Sequence, residues 1–258
     1  MLRNRIIEAF ERADVEHDPD LRRRLLSFVI VGGGATGVEL AASLSDMIFK
    51  SLLPNYQSIS ANEIRLAIIE ARGSILAGWN PRMAELASHR LTRRHVEIMV
   101  NTTVSRVTDS AVETNEGQHI PTATVAWAAG VRPEPTVSSL PVPKERDGRI
   151  RVDENLEIPG HPGVFVIGDA AAVVPAGASR PLPPTAAVAV DEGPVSAKNA
   201  VRRLTDQPLQ PFHYHSRGDL VSLGRGAAAA DIYGVVFDGI PAWLVRNPSG
   251  ARPRRHRV

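Results

Sequence analysis

The stretch Phe28-Val29-Ile30-Val31-Gly32-Gly33-Gly34-Ala35-Thr36-Gly37-Val38-Glu39-Leu40 decides how this chain folds. Four apolar, mostly β-branched residues run into Gly-x-Gly-x-x-Gly, and a helical pattern begins at once behind it. A strand, turn and helix in this order cradle the pyrophosphate of a dinucleotide. Gly32 permits the tight turn, Gly34 lets the backbone approach the phosphates, and Gly37 lets helix and strand pack closely. The helix N-terminus then offers unpaired N–H groups and a positive dipole end to the anion. Glycine-rich turns also occur in ordinary loops, so the surrounding residues have to decide.

The strand before the turn is a short continuous apolar run, as expected where both faces of a parallel sheet are covered. A second such strand, Ile64-Arg65-Leu66-Ala67-Ile68-Ile69, ends in Glu70. An acid at that tip is placed to accept hydrogen bonds from the adenosine ribose, which favours NAD over its 2′-phosphorylated form. Glu70 lies 33 residues beyond Gly37, where about 20 is usual. A long helix from Val38 to about Leu53 and a loop from Pro54 to Glu63 take up the excess. The alternative for Glu70 is a solvated strand end paired with Arg72.

With 258 residues, 43% of them apolar, and a mean hydropathy of −0.10, the chain has ample core for one large domain or two small ones. No apolar run approaches the roughly 18 residues of a membrane span, and Met1-Leu2-Arg3-Asn4-Arg5 lacks a signal core. A cytoplasmic protein is expected, at most peripheral on the cytoplasmic face of a membrane. With no cysteine, the chain has no disulfide, thiolate nucleophile or cysteine metal site. Residues 246–258 carry five arginines and no acid; the rest has 25 basic against 28 acidic residues. That tail's charge suits weak contact with anionic lipid headgroups or nucleic acid, and it reads as a disordered end with no dedicated partner. Without a basic stripe interleaved with aromatics, a nucleic-acid function is excluded.

Residues 3–14 and 18–26 read as short helices, the second opened by Asp18-Pro19-Asp20. A helix is expected from Pro81 to about Arg94, then a strand at Val96–Val100. Short strands with turns follow from Ser105 to Ile120, and a buried strand from Thr124 ends at the Gly130 turn. Residues 133–149 look like an interdomain connection. Gly163–Ile167 reads as a second buried strand ending in the Gly168-Asp169 turn, a helix should run from near Pro184 to Leu204, and Phe212 to about Leu244 reads as short strands and glycine turns. His213 and His215 would share one strand face, as a ligand pair does; without a third ligand they read as surface or interface residues, and no metal is expected.

Five segments occur together and in order: Gly-Gly-Gly-Ala-Thr-Gly-Val-Glu at 32–39, Trp-Ala-Ala-Gly-Val-Arg at 127–132, Val-Phe-Val-Ile-Gly-Asp-Ala-Ala at 164–171, Leu-Pro-Pro-Thr-Ala at 182–186 and Gly-Asp-Leu-Val-Ser-Leu-Gly-Arg at 218–225. The set resembles the type II NADH dehydrogenases, flavoenzymes that pass a hydride from NADH to FAD and electrons on to a membrane quinone. The resemblance implies an α/β protein with a Rossmann-like NADH-binding domain plus the C-terminal part of an incomplete FAD-binding domain. The divisions would be a helical lead-in at 1–27, the NADH domain at 28–140, the returning FAD-domain part at 141–205, a β-rich segment at 206–245 and the tail at 246–258. Carried over, Gly32, Gly34 and Gly37 would hold the NADH pyrophosphate and Glu70 its ribose, with Ala129 and Gly130 along the NADH. Glu39 resembles the glutamate beside the nicotinamide–flavin contact; the alternative is a helix-surface carboxylate. Gly168 and Asp169 resemble the turn at the FAD ribityl–pyrophosphate region, and Asp169 could equally cap a helix.

The chain departs from the family in three places. The family's own glycine turn for FAD does not precede Phe28, the quinone-side glutamines are replaced by Ala187 and Asp191, and the pattern breaks off after Trp243-Leu244. The resemblance therefore implies a chain that binds NADH better than FAD, from a disrupted gene or as half of a split flavoenzyme completed by a second chain. An NAD(H)-binding module without turnover and a related pyridine nucleotide–disulfide oxidoreductase are the competing readings. NADH, a quinone and a missing FAD-domain chain are the implied partners, and a homodimer is compatible with them.

Overall fold

The structure, a computed structural model, describes residues 2–216 and 218–246. It forms two compact units: one runs to Ala129 and resumes after Ser216, the other is Gly130–Ser216. In the first, α1 (Leu2–Val15) and α2 (Pro19–Leu25) lead into β1 (Ser27–Val31), α3 (Ala35–Ser45), β2 (Arg65–Ile69), α4 (Pro81–Thr92) and β3 (Val96–Met99). Three short strands, β4 (Val104–Val107), β5 (Ala111–Thr114) and β6 (His119–Pro121), precede β7 (Thr124–Trp127). The second unit holds α5 (Pro135–Ser139), β8 (Ile150–Val152), β9 (Ala171–Val173) and α6 (Ala186–Leu204). The chain then returns to the first with β10 (Asp219–Ser222), β11 (Ala228–Ile232), β12 (Val235–Gly239) and α7 (Ile240–Arg246).

The first unit is built on a parallel sheet in the order β3-β2-β1-β7. Every residue of β1 is buried. Phe28 and Ile30 join the core formed with Ile6 and Phe10 of α1, Val38 and Ala41 of α3, and Val221 and Ala229 of β10 and β11. Val29 and Val31 point to the other face, against Val112 and Ile120 of the antiparallel β4-β5-β6 sheet. With both faces covered, β1 needs no alternation of apolar and polar residues. Phe10 stacks on Phe28 with ring centroids 6.0 Å apart. A second antiparallel sheet, β10-β11-β12, packs its inner residues into the same core.

Asp18 caps α2 by accepting from the Asp20 and Leu21 amides. The helix behind the glycine turn does not run regularly to Leu53: α3 ends at Ser45 and gives way to π-helical turns over Asp46–Leu52, then a 3-10 turn. The change begins at Asp46, whose carboxylate accepts from the Arg225 amide at 2.7 Å and pairs with Arg94 at 2.8 Å and Lys50 at 2.5 Å. Lys50 lies one turn on, but no spacing in the helix itself signals Arg94 or Arg225. At the end of the chain, α7 replaces the continued strands and turns expected there. The tail beyond Arg246 lies outside the described residues.

Ser60 and Glu63 form a capping box before β2, and Glu63 also pairs with Arg22 at 2.7 Å. The Arg22 contact holds the Glu63 carboxyl at about 2, below its ordinary 4.5. A depressed carboxyl stabilises the fold fully above its unfolded pKa, and that stability is lost as pH falls through the folded value. Glu63→Gln is therefore expected to lower stability at neutral pH and to flatten the acid loss between about pH 4.5 and 2, read by denaturant melts across that range.

In the second unit, β8 and β9 pair in parallel, Ile150 opposite Ala171. The expected buried strand at 163–167 is not a sheet strand. It bridges once, Phe165 to Glu157, and its backbone bonds return to Leu156 and Ile158. Val164 and Ile167 are 48% and 39% exposed. The apolar run is real, but among the described residues no strand lies beside it to complete a sheet. The expected helix is α6, capped by Thr185. His213 and His215 lie in an irregular segment, not on one face of a strand.

Candidate functional site

The carboxyl ends of β1, β2 and β7 gather the candidate residues, where the strand order reverses between β1 and β7, the usual place for a ligand in an open α/β sheet. Gly32 has φ +109°, and a Cβ there would stand 2.7 Å from the Ala128 carbonyl carbon and the Ala129 nitrogen. A Cβ on Gly37 would stand 1.8 Å from the Gly32 oxygen. Both glycines are required by the protein's own backbone. Gly34 is not: its φ is −69°, and a Cβ would meet no atom within 4 Å. It is the N-cap of α3, and no side chain caps the amides of the first helical turn, which have no partner within the helix. That room and those donors suit a pyrophosphate.

Glu70 lies beside the turn. Its Oε2 accepts from the Gly33 amide at 2.6 Å and its Oε1 from the Arg72 amide at 2.9 Å. Arg72 thus meets Glu70 through its backbone, while its guanidinium donates to the Ala77 carbonyl. A carboxylate has about four acceptor sites, so Glu70 keeps capacity for ligand hydroxyls. Ala129 is exposed just beyond β7, and Trp127, the last residue of β7, is 61% exposed.

Glu39 is not a free helix-surface carboxylate. Its Oε1 accepts from the Ser222 amide at 2.9 Å, and Arg246 grips both oxygens. Glu39 and Asp46 stand two helical turns apart and hold neighbouring backbone amides, those of Ser222 and Arg225. A Cβ on Gly224 would stand 2.6 Å from Asp46 and 2.2 Å from Arg94, with φ +96°. The Ser-Leu-Gly-Arg segment is therefore shaped by its fit onto the helix that follows the glycine turn.

In the second unit, Gly168 (φ +66°) opens a 3-10 turn, and Asp169 is exposed within that turn rather than capping a helix. Gly130, φ +92°, is also exposed, at the start of this unit. The Gly168 amide donates to Glu192 of α6 at 2.5 Å. Glu192 is 1% exposed, and burial raises its carboxyl above the usual range despite that bond and nearby Arg149. A raised acid destabilises the fold once pH exceeds its unfolded pKa. Glu192→Gln keeps an acceptor for Gly168, so its second unit is expected to melt higher than wild type at pH 7, with the difference vanishing below about pH 4.

A family model for pyridine nucleotide-disulphide oxidoreductases matches residues 3–193. The chain belongs to that family. It is 32% identical over 257 residues to a type II NADH:quinone oxidoreductase of Mycobacterium tuberculosis, covering 94% of this chain and 53% of the relative. A Staphylococcus saprophyticus type II NADH:quinone oxidoreductase is 34% identical over 224 residues, 86% of this chain and 55% of the relative. The chain spans about half the length of these relatives. Among solved structures, NDH2 from Plasmodium falciparum in complex with NADH superposes with a TM-score of 0.81 at 18% identity, covering 97% of this chain and 67% of that one. A ferredoxin reductase from Rhodopseudomonas palustris gives 0.56 at 18% identity, over 82% and 55%. These structures share the α/β fold with its parallel sheets. Among the described residues no helix is long and apolar enough to cross a membrane.

Sequence reading passed over Gly33, Asp46, Arg246 and Glu192. Gly33 was legible: it is the middle of three glycines, and a Cβ there would lie 2.8 Å from the Ile75 side chain and 3.1 Å from Glu70. The others act through partners far along the chain.

Proposed function

We propose that the first unit binds NADH across its glycine turn, as the binding half of a type II NADH dehydrogenase-like flavoprotein. The open space at Gly34, beside the free amides of α3 and the Glu70 carboxylate, is the observation that carries this reading. The pyrophosphate lies on the helix N-terminus, Glu70 takes the adenosine ribose, and Ala129 flanks the ligand. Glu39 stands at the nicotinamide end. In the second unit, Gly168 and Asp169 meet the flavin, and Glu192 holds their turn. Once bound, NADH and FAD supply the hydride chemistry; this chain's residues bind, orient and exclude water. In a completed flavoprotein of this kind a quinone would be the electron acceptor.

A second reading, NAD(H) binding without turnover by these 258 residues alone, draws support from the exposed apolar Val164 and Ile167 beside the Gly168 turn. A completing FAD-domain chain would cover these two side chains. Purification with added FAD separates the two. Retained yellow flavin that bleaches on adding NADH supports the flavoenzyme reading; a colourless protein that still binds NADH supports the second.

A further inference from the structure

The carboxylate of Glu39 is held more firmly than packing requires. Arg246, the last residue of α7, reaches it with both terminal nitrogens, and the Ser222 amide at the end of β10 adds a third donor. The two side chains are about one third exposed, so the pair opens to solvent on one side. α7 is pinned independently: Ala242 is fully buried and packs with Ala228 and Ala230 of β11, joined by Trp243. Arg246 is thus anchored from behind and orients Glu39 in front of it. A bidentate guanidinium fixes a carboxylate in its plane, which one amide alone cannot do.

The occupied lone pairs define what Glu39 can still bind. Among the described residues, Oε1 has two donors, while Oε2 has one, the Arg246 contact at 3.2 Å. A carboxylate oxygen offers about two acceptor sites, and an ionised carboxylate only accepts. The remaining site on Oε2, open to solvent, can exchange water for a ligand N–H or O–H. The nicotinamide ring of NADH carries one such group, its carboxamide NH2. We infer that Arg246 is a positioning residue that holds Glu39 with one Oε2 lone pair free for the carboxamide N–H of the nicotinamide. This rests on the reading that Glu39 stands at the nicotinamide end of the NADH site.

The test compares NADH with its reduced 3-acetylpyridine analogue, which keeps the carbonyl and lacks the NH2. Affinities of the full chain for both are measured by equilibrium titration, with melting temperatures alongside. Arg246→Gln and Glu39→Gln are each expected to weaken NADH about tenfold and to leave the analogue within twofold. The double variant is expected to lose no more than the worse single, because both act on one contact. Arg246→Lys keeps the charge without the fork and should fall between wild type and Arg246→Gln. Equal weakening of both ligands, or unchanged NADH affinity in Arg246→Gln, would overturn the inference and leave Arg246 as a strut for α7. A wild-type chain that binds neither dinucleotide overturns the NADH reading itself, and the inference with it.

Discussion

Gly37→Ala is expected to cost roughly 3 kcal/mol of stability and to remove measurable NADH binding. The added methyl would stand 1.8 Å from the Gly32 carbonyl oxygen, a backbone atom that cannot rotate aside as a side chain can. Either α3 lifts away from β1 or the turn opens. Both outcomes disturb a strand buried along its whole length and a helix contributing Val38 and Ala41 to the main core. Gly34→Ala provides the contrast. No protein atom lies within 4 Å of its added methyl, so the fold should lose at most about 1 kcal/mol through the poorer N-cap. NADH affinity should nonetheless fall at least tenfold, because the methyl takes the space through which the pyrophosphate approaches the amides. Thermal melts and NADH titrations of the two variants distinguish a glycine the fold needs from one the ligand needs.

The second large effect is expected at Glu70. Replacing it with Ala removes the acceptor for the Gly33 amide, and an unpaired, partly buried N–H costs about 1–3 kcal/mol. The same change removes the acceptor for the ribose hydroxyls. NADH should weaken by 10- to 100-fold, about 1.4 kcal/mol for each factor of ten. Glu70→Gln separates the two roles: its carbonyl oxygen can still hold Gly33, while the charge that opposes a 2′-phosphate is gone. Its NADH-to-NADPH preference should move towards unity with little change in melting temperature. Binding constants for both nucleotides, with melts, check this.

What was legible in the sequence followed from local physics. The continuous apolar run of β1 announced a strand covered on both sides, and Phe28 and Val29 indeed face different cores. Glu70 was recognisable because it ends the next such run, and the fold brings it to 2.6 Å from Gly33 across 37 positions. The π-helical turns after Ser45 were not legible, since their start coincides with an aspartate whose partners include Arg94 and Arg225. Arg246 was hidden for the same reason, 207 residues from Glu39. The strand expected at 163–167 shows the opposite failure. Its apolar pattern was read correctly, but a pattern cannot supply the neighbours that make a sheet.

The central claim, that the turn at Gly32–Gly37 is an NADH site, is tested most directly by titrating the chain with NADH and NADPH while following ligand fluorescence. One saturable site is predicted, with NADH bound at least tenfold more tightly than NADPH and weakened at least tenfold in Gly34→Ala without loss of fold. No saturable binding, or a Gly34→Ala variant that binds NADH like wild type, would contradict it.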